Sequence, residues 1–245
     1  MNIALVSGLI ILILLVIMLI AGVPIAVALG ISSVVAILPI MDLEVAVVTG
    51  AQRIFSGISM FSLLAIPFFM LAGNIMSRSI TGKLIDVSNA LIGWIKGSLA
   101  VVTVLASALF GAISGSGVAT ASAVGGTTIP AMKEEGYPDH FAAAISGIAA
   151  ILGPIIPPSI TLIVYASITD LSVSTLFVGS VIPGILMGIG LMIYCYIIGK
   201  KRHYVGREKA ASFHEILSTG KDTVLALFMP IIIIGGIMSG IFTPT

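Results

Sequence analysis

Residues Leu109 to Thr128 read Leu-Phe-Gly-Ala-Ile-Ser-Gly-Ser-Gly-Val-Ala-Thr-Ala-Ser-Ala-Val-Gly-Gly-Thr-Thr, and a second run, Gly153-Pro154-Ile155-Ile156-Pro157-Pro158-Ser159, follows inside an otherwise apolar stretch. Both interruptions fall at the middle of segments of membrane length. A bilayer interior holds no water, so backbone opened there must be buried in protein or line a cavity. Small residues that let helices approach closely would account for the first run taken alone. They do not account for the second, whose three prolines remove donors and stop helix propagation. Paired breaks of this kind point to a binding site within the membrane.

The composition supplies the membrane. Of 245 residues, 58% are hydrophobic and 9% charged, against about 25% charged in soluble domains, and the mean hydropathy is +1.24. A soluble fold is excluded, and no nucleic-acid partner is expected. The single cysteine, Cys195, lies in an apolar helix and leaves no disulfide framework or thiolate metal site. The first apolar run, Ile3 to Ala21, has neither a basic leading region nor an Ala-x-Ala cleavage site, and reads as a retained span.

Apolar runs fall at 3–21, 24–40, 58–77, 98–132, 140–168, 174–199 and 223–242. A crossing helix needs about 20 residues, so most are single spans. The run 98–132 is too long for one helix and has the flexible Ser114-Gly115-Ser116-Gly117 near its centre. Each arm spans roughly 24 Å at about 1.5 Å per residue, short of a core about 30 Å thick. A re-entrant hairpin fits better than two crossings. The fold expected is all-α and polytopic, with about six transmembrane helices, one re-entrant hairpin and a broken helix.

Six of the eleven basic residues, Lys200, Lys201, Arg202, Arg207, Lys209 and Lys221, share one loop. The positive-inside rule places loop 200–222 in the cytoplasm, and counting back places the N-terminus outside. Segments 45–56 and 84–95 look like interfacial helices, the second anchored by Trp94. Asp139 is expected as an N-cap with His140 a solvated neighbour. Pro67–Ser77 resembles Pro230–Ser239 with one gap, and the topology makes these helices run oppositely, as in an inverted repeat.

No Asp, Glu, Lys or Arg lies in the central part of any apolar segment. Proton-driven pumps keep ionisable groups at depth. Hydroxyls and carbonyls freed by broken helices instead suit sodium, and half-helix N-termini, such as the one near Ser116, suit a carboxylate. These residues predict sodium-coupled uptake of an organic anion. With no buried Ser-His or Asp-Asp pair and no His-Glu-x-x-His pattern, an enzyme is not expected.

Four stretches, IPFFMLAGNIMS around Pro67–Ser77, FGAISGSGVATASAVG from Phe110, ILGPIIPPSITLIVYA from Ile151 and GIFTPT from Gly240, together resemble the large membrane subunit (M, or DctM-like) of tripartite ATP-independent periplasmic (TRAP) transporters. The resemblance runs through nearly the whole chain. It implies the first inverted repeat of an elevator-type fold in the bacterial inner membrane. A small four-helix membrane subunit and a periplasmic substrate-binding protein are the partners it implies, with sodium as coupling ion and no other cofactor. Cargo would be organic carboxylates or sugar acids. Sodium ligands carried over by motif are Ser114, Gly115, Ser116 and Gly117 on the hairpin, with Gly153, Pro154 and Ile156 on the broken helix. Ser116, Thr120, Pro157, Pro158 and Ser159 would face the substrate.

The resemblance divides the chain into scaffold and interfacial helices (1–97), a mobile hairpin and broken helix (98–169), a helix with its basic loop (170–222) and the start of a second repeat (223–245). Family members are nearly twice as long, so the chain is expected to be an N-terminal half. Two other functions fit the same pattern: a sodium- or proton-coupled anion symporter working without a binding protein, and a non-transporting scaffold subunit.

Overall fold

The computed structural model describes residues 3–204, 206–207, 210–221 and 223–241, and all regular structure among them is helical. Among the described residues thirteen α-helices run in order: α1 Ile3–Ile20, α2 Ile25–Ile37, α3 Leu43–Ile58, α4 Ala65–Ile92, α5 Ser98–Ser114, α6 Gly117–Thr120, α7 Gly126–Glu134, α8 Asp139–Ala150, α9 Leu152–Ile155, α10 Ile160–Thr169, α11 Val173–Lys201, α12 Phe213–Lys221 and α13 Val224–Met238. Contacts divide the chain into two units, residues 1–60 and 61–245. That boundary is one of packing, whereas the 97/98 boundary expected above is one of movement.

In the first unit, α1 buries none of its residues, as suits a helix apolar on every side. Against it lies α2, which buries Ala28, Ser32 and Ala36 at four-residue spacing. Then α3 closes on α2 so tightly that a β-carbon on Gly50 would lie 2.7 Å from a Val34 methyl.

The second unit is built around α5. Thirteen of its 17 residues are buried, so it faces protein on nearly all sides. One face joins Leu84 of α4 and Ala226 of α13 through Ala106, Phe110 and Ile113. The opposite face joins Ile145 and Ala149 of α8 and Cys195 of α11 through Val101 and Val104. The hydroxyl of buried Thr103 donates to the Leu99 carbonyl at 2.7 Å, which lets a polar side chain sit in this core without an unpaired group.

The chain turns at Gly115–Ser116 and returns through α6, a π-helical turn at Ala121–Gly125 and α7, packing back against α5. A helical hairpin thus stands where the sequence places one. At about 1.5 Å per residue its 17-residue first arm spans roughly 26 Å, short of a full crossing. The helical pair 139–155 and 160–169 bends by 49° at the second interruption. Helices α1 and α11 are each long and apolar enough to cross a membrane alone.

Two local expectations change. Residues 84–92 are not a separate interfacial helix: they continue α4 without a break, because Leu84, Val87 and Ala90 form a buried stripe that carries the helix past the membrane-length segment. Asp139 is not an N-cap but the first residue of α8, following the extended Pro138. Its carboxylate pairs with Lys133 at 3.1 Å, an exposed contact worth less than about 1 kcal/mol. Of the basic loop, Arg207 pairs with Glu215 at 2.7 Å, while Lys209 lies outside the described residues, as do Phe242–Thr245 of the GIFTPT stretch.

Candidate functional site

The two interruptions meet. Gly115 ends α5 with φ +62°, a conformation that a side chain would make costly. The sequence places glycine there, so the chain reverses within two residues. The Gly115 carbonyl then accepts the Ile160 N–H at 3.2 Å. That bond ties the hairpin tip to the first residue of α10. A β-carbon on Gly115 would lie 2.8 Å from the Pro158 carbonyl oxygen.

Two serines cap the helices that leave this junction, and they do so in the same way. Ser116 has φ −130° and ψ 123°, and its hydroxyl accepts the Ala119 N–H at 3.3 Å. Ser159 has φ −131° and ψ 126°, and its hydroxyl accepts the Leu162 N–H at 3.3 Å. Extended backbone with a short hydroxyl is the N-cap combination. The Ser159 hydroxyl also donates to the Pro154 carbonyl at 2.6 Å, spanning the break.

Between the tip and the break the backbones touch. A β-carbon on Gly111 would lie 2.6 Å from the Gly153 α-carbon, and one on Gly153 would lie 3.0 Å from the Ser116 carbonyl oxygen. Gly117 faces the Ala150 carbonyl and the Pro154 ring. These glycines are there for proximity: any side chain would hold the hairpin away from α9.

Beneath the tip three oxygens gather. The Thr120 hydroxyl donates to the Ser116 carbonyl at 2.8 Å, and the Ser114 hydroxyl lies 3.4 Å from the Thr120 hydroxyl and 3.5 Å from the Ser116 carbonyl. Ser114, Thr120 and Ser159 are all buried. All three oxygens are neutral, a donor set suited to a hard monovalent cation. Two helix N-termini (α6 and α10) and two C-termini (α5 and α9) come together around it. Positive and negative backbone ends are thus available side by side, for an anion and a cation respectively.

Ser114, Gly115, Ser116, Gly117 and Thr120 are therefore brought together with Gly153, Pro154, Pro158 and Ser159. Ile156 differs, because its side chain is turned towards α11, where a β-carbon on Gly184 would lie 2.7 Å from it. Only its backbone could serve a ligand at the tip. Pro157 is buried and joined to Pro158 by a cis peptide.

Three contributors were not singled out from the sequence. Gly111 makes the closest approach to the broken helix, and its four-residue spacing from Gly115 was the available signal. Gly73 of α4 lies against the Ser114 α-carbon, at 3.3 Å from a built β-carbon. The π turn at Ala121–Gly125 follows directly on Thr120, and such turns frequently accompany functional sites. Nothing in a string of small residues separates a π turn from an α turn.

A family model described as "Tripartite ATP-independent periplasmic transporter, DctM component" matches residues 12–245. The chain is 42% identical over 196 residues to the sialic acid TRAP transporter large permease protein of Vibrio cholerae, covering 80% of this chain and 46% of that protein. It is 40% identical over 230 residues to the C4-dicarboxylate TRAP transporter large permease protein of the same organism, covering 93% and 50%. To the 2,3-diketo-L-gulonate TRAP transporter large permease protein of Escherichia coli it is 40% identical over 196 residues, covering 80% and 46%. The chain thus spans about half the length of the curated relatives it matches.

Proposed function

The chain belongs to the DctM component family of tripartite ATP-independent periplasmic transporters, and from that membership we propose that it forms the first half of a sodium-coupled permease for organic carboxylates or sugar acids. The family is one of transporters, not enzymes, and the chain is a multi-pass membrane protein. The observation that carries the proposal is the junction at Gly115–Ile160, where two broken helices meet over a buried cluster of neutral oxygens.

In this reading sodium is held by Ser114, Ser116 and Thr120 oxygens with help from the helix C-termini, and the carboxylate cargo lies at the N-termini capped by Ser116 and Ser159. Pro157 and Pro158 shape the wall of that pocket. The ion reduces the cost of bringing an anion into the membrane, and the anion does the same for the ion, so that the two are carried together. Hairpin and broken helix, residues 98–169, move as one body against a scaffold of earlier helices, in the elevator manner. The backbone contacts of Gly111 with Gly153 support a joint motion of hairpin and break.

The likeness of Pro67–Ser77 to Pro230–Ser239 supports a second, inverted repeat beginning at α13. A small membrane subunit and a periplasmic binding protein complete the assembly in the bacterial inner membrane, with loop 200–222 in the cytoplasm. The test is uptake into proteoliposomes by the intact permease with its partner subunit and binding protein, driven separately by sodium and proton gradients. The proposal expects uptake only under the sodium gradient and only with the binding protein. Uptake under a proton gradient alone would refute it.

A further inference from the structure

Where α11 ends beside the start of α5, the second unit carries a groove that the transport site does not use. It measures about 560 Å³, within the range of small-molecule sites. Its walls include Trp94, Lys96, Val101, Met192, Ile193 and Tyr196. Helix α11 presents Met192 and Tyr196 one turn apart, and the next position on that stripe is Lys200. Gly199 lies against the Lys96–Gly97 backbone, 2.5 Å from the Gly97 α-carbon to a built β-carbon, which sets the backbone of Lys200 one residue from that contact. Both lysines are exposed, and none of the described lining residues is acidic.

We propose that this groove binds one anionic phospholipid, with an acyl chain between Trp94 and Ile193 and the phosphate at the Lys96–Lys200 rim. Charge complementarity identifies the occupant. An apolar slot with Lys96 in its wall and Lys200 one turn beyond Tyr196 matches a lipid whose head is negative and whose tail is hydrocarbon. Trp94 and Tyr196, over half and two-fifths exposed, are amphipathic rings of the kind that the headgroup level of a bilayer favours. Because Gly97 and Gly199 join the start of the hairpin to the end of α11, the lipid would sit at the hairpin's base.

Trp94 is the single tryptophan of the chain and lines the groove, so it reports directly. In the intact permease, with any tryptophan outside residues 1–245 replaced by phenylalanine, its fluorescence is measured in neutral phosphatidylcholine vesicles. A few mole per cent of lipid is brominated, either phosphatidylglycerol or phosphatidylcholine. Each lysine near the surface contributes about a five-fold preference for anionic lipid, so brominated phosphatidylglycerol should quench at a much lower mole fraction. The exposed double change Lys96→Gln and Lys200→Gln should erase that preference, while Lys96→Arg with Lys200→Arg should keep it. Equal quenching by the two brominated lipids in the unaltered permease would overturn the proposal. So would an absence of quenching by either, which would mean that protein covers the groove.

Discussion

The Gly115 carbonyl accepts the Ile160 N–H at 3.2 Å, and this one bond joins the tip of a helical hairpin to the restart of a broken helix. It forms because Gly115 adopts a left-handed conformation and carries no side chain toward Pro158. The bond also fixes the spacing of the Ser116 and Ser159 caps, and so the direction in which two helix N-termini point.

Gly115→Ala tests that geometry. The left-handed conformation costs an alanine about 1–2 kcal/mol, and its methyl would crowd the Pro158 carbonyl at 2.8 Å. In the intact permease the variant should melt lower and lose most uptake. Gly126→Ala, on the returning arm with nothing within 4 Å of its built β-carbon, should match the unaltered protein in both thermal melting and uptake.

A methyl on Gly111 would press on the Gly153 backbone, and one on Gly153 on the Thr120 hydroxyl and the Ser116 carbonyl, so both substitutions load the one junction and should be coupled. Each change to alanine over-packs its own side of that junction, at about 1–3 kcal/mol. The double variant should lose less than the two single losses added together, since the first methyl already separates the backbones. Additive losses in a thermal-melting cycle would show that the two contacts are independent of each other.

The serine caps should differ in consequence. Losing either cap costs about 1 kcal/mol, but Ser159→Ala also removes the donor that Pro154 receives at 2.6 Å. Ser159→Ala should therefore lower the melting temperature more than Ser116→Ala.

Much of this was legible in the sequence, for reasons particular to each element. The hairpin showed in arithmetic: residues 98–132 are too long for one helix and too short for two crossings. The break at Gly153–Ser159 showed because three prolines cannot sit in a continuous helix. The union of α4 did not show, since Arg78, Lys83 and Asp86 look like a cytoplasmic break and only the packing of Leu84, Val87 and Ala90 keeps the helix going. Nor did the outward turn of Ile156, which depends on the space left by Gly184, 28 residues later. The site's neutral oxygens were readable as a type of chemistry, but their spacing had to come from the fold.

Tyr137 gives a pH-dependent signature at the hairpin's base. Its ring stacks on Tyr204 with centroids 3.9 Å apart. Burial, and after it the nearby Glu135 carboxylate, push its phenol pKa upward. The folded protein therefore holds this proton more tightly than the unfolded chain does. The sign follows: stability from this group is intact below the ordinary tyrosine value of about 10 and falls as the pH rises beyond it. Melting of the Tyr137→Phe variant should decline less in that alkaline range than melting of the unaltered protein.

The central claim is that the buried oxygens beneath the hairpin tip hold the coupling ion, and Thr120 tests it most directly. Thr120→Val keeps the shape and removes the hydroxyl that lies 2.8 Å from the Ser116 carbonyl and 3.4 Å from the Ser114 hydroxyl. The measurement is the sodium dependence of uptake by the reconstituted intact permease, with Thr120→Ser as the variant that restores the hydroxyl. Half-maximal activation should move to higher sodium in Thr120→Val and return towards the original value in Thr120→Ser. An unchanged sodium dependence in a Thr120→Val protein that folds and transports would contradict the account.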